Sequence, residues 1–199
     1  MKIWYGFVYM LLKIFYGLLH PVKVIGREHI PEGSAIICGN HTSMADPLFM
    51  VFGLRIQNNI QAMAKIELMR VPVVGFVLKK AGVFGVDRGN NDVGAIKHAF
   101  KVLKEGGRLV MFPEGRRVRE GDEKSRIKTG AAMFAVKTGT QILPVYISPN
   151  RKILRRTLVV FGEPYHPEFE GTKATQEDYQ DIVNDLMERI FAMGRQYEG

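Results

Sequence analysis

After Pro21 the chain alternates short apolar runs with amphipathic stretches, and this alternation restricts the fold more than any other feature. Val22–Ile25, Ala35–Cys38, Ile60–Ala64, Val83–Val86, Arg108–Phe112, Ile142–Ile147 and Thr157–Phe161 read as strands. Helical periodicity covers Asp46–Leu54, Glu67–Lys80, Asp92–Glu105, Gly130–Lys137 and Gln176–Met193. Asp46-Pro47 is a helix start, with Asp at the N-cap and Pro in the first turn. Pro72 and Gly75 disturb the start of the second helix. In Asp92–Glu105, Val93, Ile96, Phe100 and Leu103 share one face, and Gly106-Gly107 ends the helix. The closing helix carries Tyr179, Ile182, Val183, Leu186, Ile190 and Met193 on one side. Strands alternating with helices predict an α/β layer fold, a mostly parallel sheet flanked by helices. Ligands of such sheets collect beyond the carboxyl ends of the strands.

Residues 1–20 differ in kind. Ile3 to Leu19 is nearly all apolar, interrupted by Lys13, and holds Trp4, Tyr5, Phe7, Tyr9, Phe15 and Tyr16. On a helix, Lys2, Tyr5, Tyr9, Lys13, Tyr16 and His20 form one narrow stripe and apolar side chains cover the rest. Such a helix is about 30 Å long, enough to span a bilayer, but Lys13 at mid-membrane costs about 2.5–3.5 kcal/mol. Lying in the interface avoids that cost and puts Tyr and Lys at the headgroups. The pattern therefore favours an N-terminal amphipathic membrane-associating helix over a spanning anchor or a helix packed on its own domain. No small-x-small cleavage site follows, so a signal peptide is a poor fit.

The formal net charge is +8, from 28 Lys and Arg against 20 Asp and Glu. It favours an anionic partner: nucleic acid, an anionic membrane or a phosphorylated substrate. No zinc finger, basic zipper or RNA-recognition signature accompanies it, which argues against nucleic acid. Cys38 is the sole cysteine and sits in an apolar run. It reads as a core thiol, and no Cys/His cluster has zinc-ligand spacing.

Four clusters carry chemistry-bearing residues, each at or beside a predicted strand. Asn40-His41-Thr42-Ser43-Met44-Ala45-Asp46 follows Ala35–Cys38. A carboxylate that accepts the proton of one imidazole nitrogen fixes the tautomer and lets the other nitrogen act as base. Five residues on an unbroken helix would part His41 and Asp46 by about 140°, so a dyad needs a turn between them; Asp46 is equally a natural N-cap. Gly82 to Arg88 ends a strand in an Arg suited to a bidentate hold on phosphate or to a surface ion pair. Phe112-Pro113-Glu114-Gly115-Arg116-Arg117 follows Arg108–Phe112, where Gly115 lets backbone approach a ligand and Glu114 can hold a hydroxyl or an Arg. Pro144, inside Ile142–Val145, suggests an edge or bulged strand, though core packing explains it equally well. The basic residues of Lys124–Lys128 are suited to phosphate or to solvent.

Taken in order, these clusters resemble the glycerophospholipid acyltransferase family, especially the 1-acyl-sn-glycerol-3-phosphate acyltransferases. Its Asn-His-x4-Asp, Gly-x5-Arg, Phe-Pro-Glu-Gly and apolar Pro-containing blocks match Asn40/His41/Asp46, Gly82/Arg88, Phe112–Gly115 and Ile142–Val145. Ala64-Lys65 and Lys128-Thr129-Gly130 also resemble flanking segments of the family, over about residues 20–165 in all. The resemblance implies an acyltransferase domain over 21–199 behind the helix of 1–20. It implies transfer of a fatty acyl group from acyl-CoA or acyl-ACP, as cosubstrate, to a lysophosphatidic acid-like acceptor, at the cytoplasmic face of the cell membrane. By the same resemblance His41 is the base and Asp46 its partner. Lys65 and Arg88 bind the acceptor phosphate; Glu114 and Gly115 shape its pocket, and Gly115 is placed to turn an N–H towards the developing oxyanion. No metal and no redox cofactor are implied. Arg116 departs from the Thr or Ser usual after Phe-Pro-Glu-Gly.

Competing readings are an acyltransferase for glycerol 3-phosphate or another lysophospholipid, and a non-catalytic anionic-lipid binding module. The module accounts for residues 1–20 and the charge but not for the ordered blocks. A serine hydrolase would want a Gly-x-Ser-x-Gly elbow, which is absent from the sequence.

Overall fold

The computed structural model describes residues 20–54, 59–87, 92–117, 127–149 and 155–198. The helix expected over 1–20 falls almost wholly outside the described residues, and Arg88 lies outside them too.

Seven strands form one sheet: β1 (Val22–Ile25), β2 (Ala35–Gly39), β3 (Ile60–Lys65), β4 (Val83–Val86), β5 (Arg108–Met111), β6 (Gln141–Ile147) and β7 (Thr157–Phe161). Their order is β1-β7-β6-β2-β5-β3-β4. All neighbours run parallel except β6 and β7. The carboxyl ends of β6, β2, β5, β3 and β4 therefore lie along one edge.

β2 is central, and all five of its residues are buried. Its side chains alternate between two cores, as a strand covered on both faces requires. Ile36 and Cys38 join Leu109, Ile142, Ala131, Ala135, Leu186 and Ile190. Ala131 and Ala135 come from α5 (Gly130–Thr138) and Leu186 and Ile190 from α6 (Gln176–Glu198), while α4 (Val93–Lys104) adds Ala99 and Leu103. Ala35 and Ile37 face Phe49, Met50 and Leu54 on the other side, all from α1 (Asp46–Leu54). Cys38 is the core thiol its surroundings suggested, and burial pushes its pKa up.

The expected helix over Glu67–Lys80 is two helices, α2 (Ile66–Arg70) and α3 (Pro72–Lys80). Val71 is extended, at φ −71 and ψ 120, because a residue before proline is barred from helical space. Pro72 then starts α3, where its missing N–H is not needed. Gly75 packs so tightly that a Cβ there would lie 2.1 Å from the Met69 carbonyl oxygen.

One expectation needs correction and another is narrowed to one of its alternatives. The inner face of α4 is built on Ala95, Ala99, Val102 and Leu103, whereas Val93 is exposed. The small alanines let the helix approach its neighbours closely, so Ile96 and Phe100 pack at the border instead of beneath it. Pro144 does not mark an edge, because β6 is paired on both sides. It sits at a bulge: Val145 pairs with Phe161, but Ile142 bridges Tyr165, one residue beyond an unbroken antiparallel register.

Candidate active site

β2 ends at Gly39, and the next two residues are held from three directions. Asn40 is buried and pairs with Ile147 as a backbone would: its Nδ2 donates to the Ile147 carbonyl at 2.9 Å, and its Oδ1 accepts the Ile147 N–H at 2.8 Å. This side chain extends the β2–β6 ladder by one rung. His41 then donates its backbone N–H to Glu114 Oε2 at 2.7 Å.

The imidazole is set by Asp46. His41 Nδ1 lies 3.0 Å from Asp46 Oδ2, and the same oxygen accepts the backbone N–H groups of Thr42 and Ser43, each at 2.7 Å. The turn required between His41 and Asp46 is thus closed by the carboxylate itself. Oδ2 turns back into this loop, unlike an N-cap oxygen, which would face forward along α1. Asp46 is fully buried while the His41 side chain is 17% exposed, so the pair has a dry inner end and an open outer one. An oxygen that already accepts two N–H groups is an acceptor for the third, so Nδ1 carries the proton and Nε2 holds the lone pair. Among the described residues Nε2 meets no hydrogen-bond partner. The ring stacks on Phe112 with centroids 4.4 Å apart and planes at 24°. That contact limits ring rotation, and the π face favours an imidazolium once one forms.

Glu114 is itself buried. Desolvation pushes its pKa up to about 7; the His41 N–H pulls it down and the nearby Asp46 charge pushes it up. Gly115 occupies the left-handed region at φ 65, which closes the turn after β5. Its N–H donates to the Phe112 carbonyl at 3.0 Å. This corrects the expectation that Gly115 turns that N–H towards an oxyanion: the donor is engaged within the turn. The stem of Lys128 lies against Gly115, with its Cγ 3.1 Å from where a Cβ would stand.

Lys65 ends β3, more than half exposed, with Nζ 3.0 Å from Glu67 Oε1. β5 stands between β2 and β3, so the ends carrying His41 and Lys65 are two strand spacings apart, roughly 10 Å. Asp87, after β4, donates its N–H to Asp92 Oδ2 at 3.1 Å, which ties together the two ends of the segment that carries Arg88. Asp92 also caps α4 through Ala95 N–H.

Of the residues singled out in the sequence, His41 is brought into contact with both Asp46 and Glu114, Gly115 follows Glu114 in the turn after β5, and Lys65 stands farther along the edge. The roles of Asn40 and Phe112 were missed, although both lie inside the quoted blocks; nothing in their local spacing announces a partner on another strand. Among the described residues no group of three or more His, Cys, Asp or Glu side chains is arranged for a metal ion. None of the described helices is long and apolar enough to cross a membrane.

A protein-family model described as "Acyltransferase" matches residues 21–148, more than half of the chain. The 1-acyl-sn-glycerol-3-phosphate acyltransferase of Borreliella burgdorferi is 33% identical over 177 residues, covering 85% of this chain and 70% of that one. The protein of the same name from Bacillus subtilis is 36% identical over 117 residues, 58% of each chain. Among solved structures, the 1-acyl-sn-glycerophosphate (LPA) acyltransferase from Thermotoga maritima superposes with a TM-score of 0.68, covering 96% of this chain and 81% of that one. At 24% identity that likeness speaks for the fold.

Proposed function

Because this chain belongs to the acyltransferase family, we propose that it transfers a fatty acyl group from an acyl thioester to the sn-2 hydroxyl of 1-acyl-sn-glycerol 3-phosphate, giving phosphatidic acid. The observation that carries this reading is the His41–Asp46 pair, a singly oriented imidazole whose partner carboxylate is buried behind it.

In this reaction His41 Nε2 takes the proton of the acceptor hydroxyl as its oxygen attacks the thioester carbonyl carbon. Asp46 holds Nδ1–H and stabilises the imidazolium. The tetrahedral adduct collapses by breaking the carbon–sulfur bond, and the proton passes from Nε2 to the departing thiolate. No acyl-enzyme is needed, so the chain supplies orientation and proton transfer. Glu114 and Asn40 act on this step through the main chain of residues 40 and 41, which they hold from opposite sides.

The acceptor phosphate is assigned to Lys65 and Arg88. Lys65 would exchange Glu67 for a dianion, a stronger partner for an ammonium. The donor is acyl-CoA or acyl-ACP, both anionic and suited to the +8 charge. The enzyme works at the membrane, where its acceptor resides, on the cytoplasmic face that supplies either donor.

The decisive experiment incubates purified protein with acyl thioester and lysophosphatidate and reads the lipid by mass spectrometry. Acceptor-dependent thiol release together with phosphatidate formation is expected. Vesicle binding without thiol release would replace the enzyme with a lipid-binding module.

A further inference from the structure

Eight large hydrophobic residues are exposed among the described residues, and four of them fall within residues 71–76: Val71 at 45%, Val73 at 76%, Val74 at 43% and Phe76 at 54%. Such a concentration is not the scatter of single apolar residues found on any surface.

The orientation of α3 explains it. At 100° per residue, Val73, Phe76, Val77 and Lys80 share an arc of about 100°. Gly75 lies on the opposite side, buried against the Met69 backbone. That close contact leaves the valine and phenylalanine side facing out. The ends of this surface are basic. Arg70 precedes it, Lys79 and Lys80 close it, and over residues 65–80 only Glu67 opposes Lys65, Arg70, Lys79 and Lys80. Lys80 runs along the apolar face, with Nζ 5.8 Å from the Phe76 ring centroid. A long stem on apolar surface with its ammonium at the rim is how lysine sits at a lipid headgroup boundary.

We propose that α3 is a membrane-docking surface of this protein, inserting Val73 and Phe76 below the headgroups of an anionic bilayer while Arg70, Lys79 and Lys80 meet the phosphates. The choice of a bilayer as occupant rests on the lipid-acceptor reading above and on two features of the patch. Its basic rim complements an anionic surface. Its three valines offer no hydrogen-bonding group to orient a partner, which suits a fluid hydrocarbon boundary better than a protein interface. α2 and α3 together form the crossover between β3 and β4, the strands that end beside Lys65 and Asp87. Docking there brings the phosphate-binding side of the sheet edge to the layer that holds the acceptor.

The test exploits Cys38, whose complete burial leaves an introduced surface cysteine as the reactive one. Full-length Val73→Cys carrying an environment-sensitive fluorophore is mixed with phosphatidylglycerol or phosphatidylcholine vesicles; Lys137→Cys on α5 is the reference position. A blue shift at 73 with phosphatidylglycerol, weaker with phosphatidylcholine and absent at 137, is expected. In the unlabelled chain, Val73→Glu with Phe76→Glu is expected to weaken phosphatidylglycerol-vesicle affinity about fivefold or more. Turnover of a short-chain lysophosphatidate dissolved as monomer stays at the wild-type rate. An unshifted spectrum at 73, unchanged vesicle affinity, or a response to acyl carrier protein in place of vesicles would overturn the proposal. If the wild-type chain turned over no acceptor while the probe at 73 still responded to vesicles, the enzymatic reading would fail and the docking surface would stand.

Discussion

Glu114 Oε2 receives the backbone N–H of His41 at 2.7 Å. The carboxylate in the turn after β5 therefore grips the main chain of the residue whose side chain is held by Asp46. One histidine is fixed at both ends by two different acids.

Burial of that acid, against the pull of the hydrogen bond, makes stability depend on pH. Burial raises the Glu114 pKa from about 4.5 to about 7. An acid whose folded pKa exceeds its unfolded one binds its proton more readily in the native state. Its contribution is complete below about 4.5 and is lost as pH rises through about 7, on the order of 2 kcal/mol. Glu114→Gln keeps an oxygen for the His41 N–H and no longer titrates. Denaturant unfolding measured from pH 4.5 to 8 should show a flatter stability profile in Glu114→Gln than in wild type; parallel profiles would refute the assignment.

His41→Ala removes the base and leaves the loop's backbone contacts in place. Turnover should fall at least about 100-fold, with little change in unfolding midpoint. A folded variant that turns over near the wild-type rate would end the mechanism proposed above.

Asp46→Asn should damage both properties. Oδ2 receives three donors in a fully buried position, and an amide facing the wrong way would set N–H against N–H. We expect a turnover loss of about 10²–10⁴-fold and a stability loss of about 2–4 kcal/mol. Steady-state rates and denaturant midpoints, compared with those of His41→Ala, separate the two effects.

Asn40→Ala would strand the buried N–H and carbonyl of Ile147. Each buried polar group left unsatisfied costs about 1–3 kcal/mol, and His41 loses one of its anchors. A fall in kcat larger than any rise in acceptor KM is expected from steady-state kinetics. A change confined to KM would place Asn40 at the acceptor instead.

Arg88→Ala and Lys65→Ala should each raise acceptor KM with donor KM unchanged. Glu67→Ala releases Lys65 from its 3.0 Å partner and should lower acceptor KM slightly. Initial rates over a grid of both substrates distinguish these outcomes.

Most elements are readable in the sequence alone. Each strand in the sequence is a local apolar run, and Asp92 and Gly106-Gly107 mark the ends of α4 within a few residues. The break at Val71-Pro72 was only half visible, because proline signals a disturbance but not that the chain restarts as a second helix. Val93 leaves its expected face for a related reason: periodicity finds an apolar stripe, but only the neighbouring layer decides that Ala95 and Ala99 face inward.

What the residues determined alone is local: an α/β alternation, a His and an Asp five positions apart at a strand's end, and the ordered blocks that resemble a family. What tertiary structure decided is which atoms meet. Asn40 finds Ile147 across 107 positions and His41 finds Glu114 across 73, because the order β6-β2-β5 sets those strand ends side by side. Strand order is chosen by the packing of two cores against both faces of the sheet, and no periodicity within a single segment carries that information.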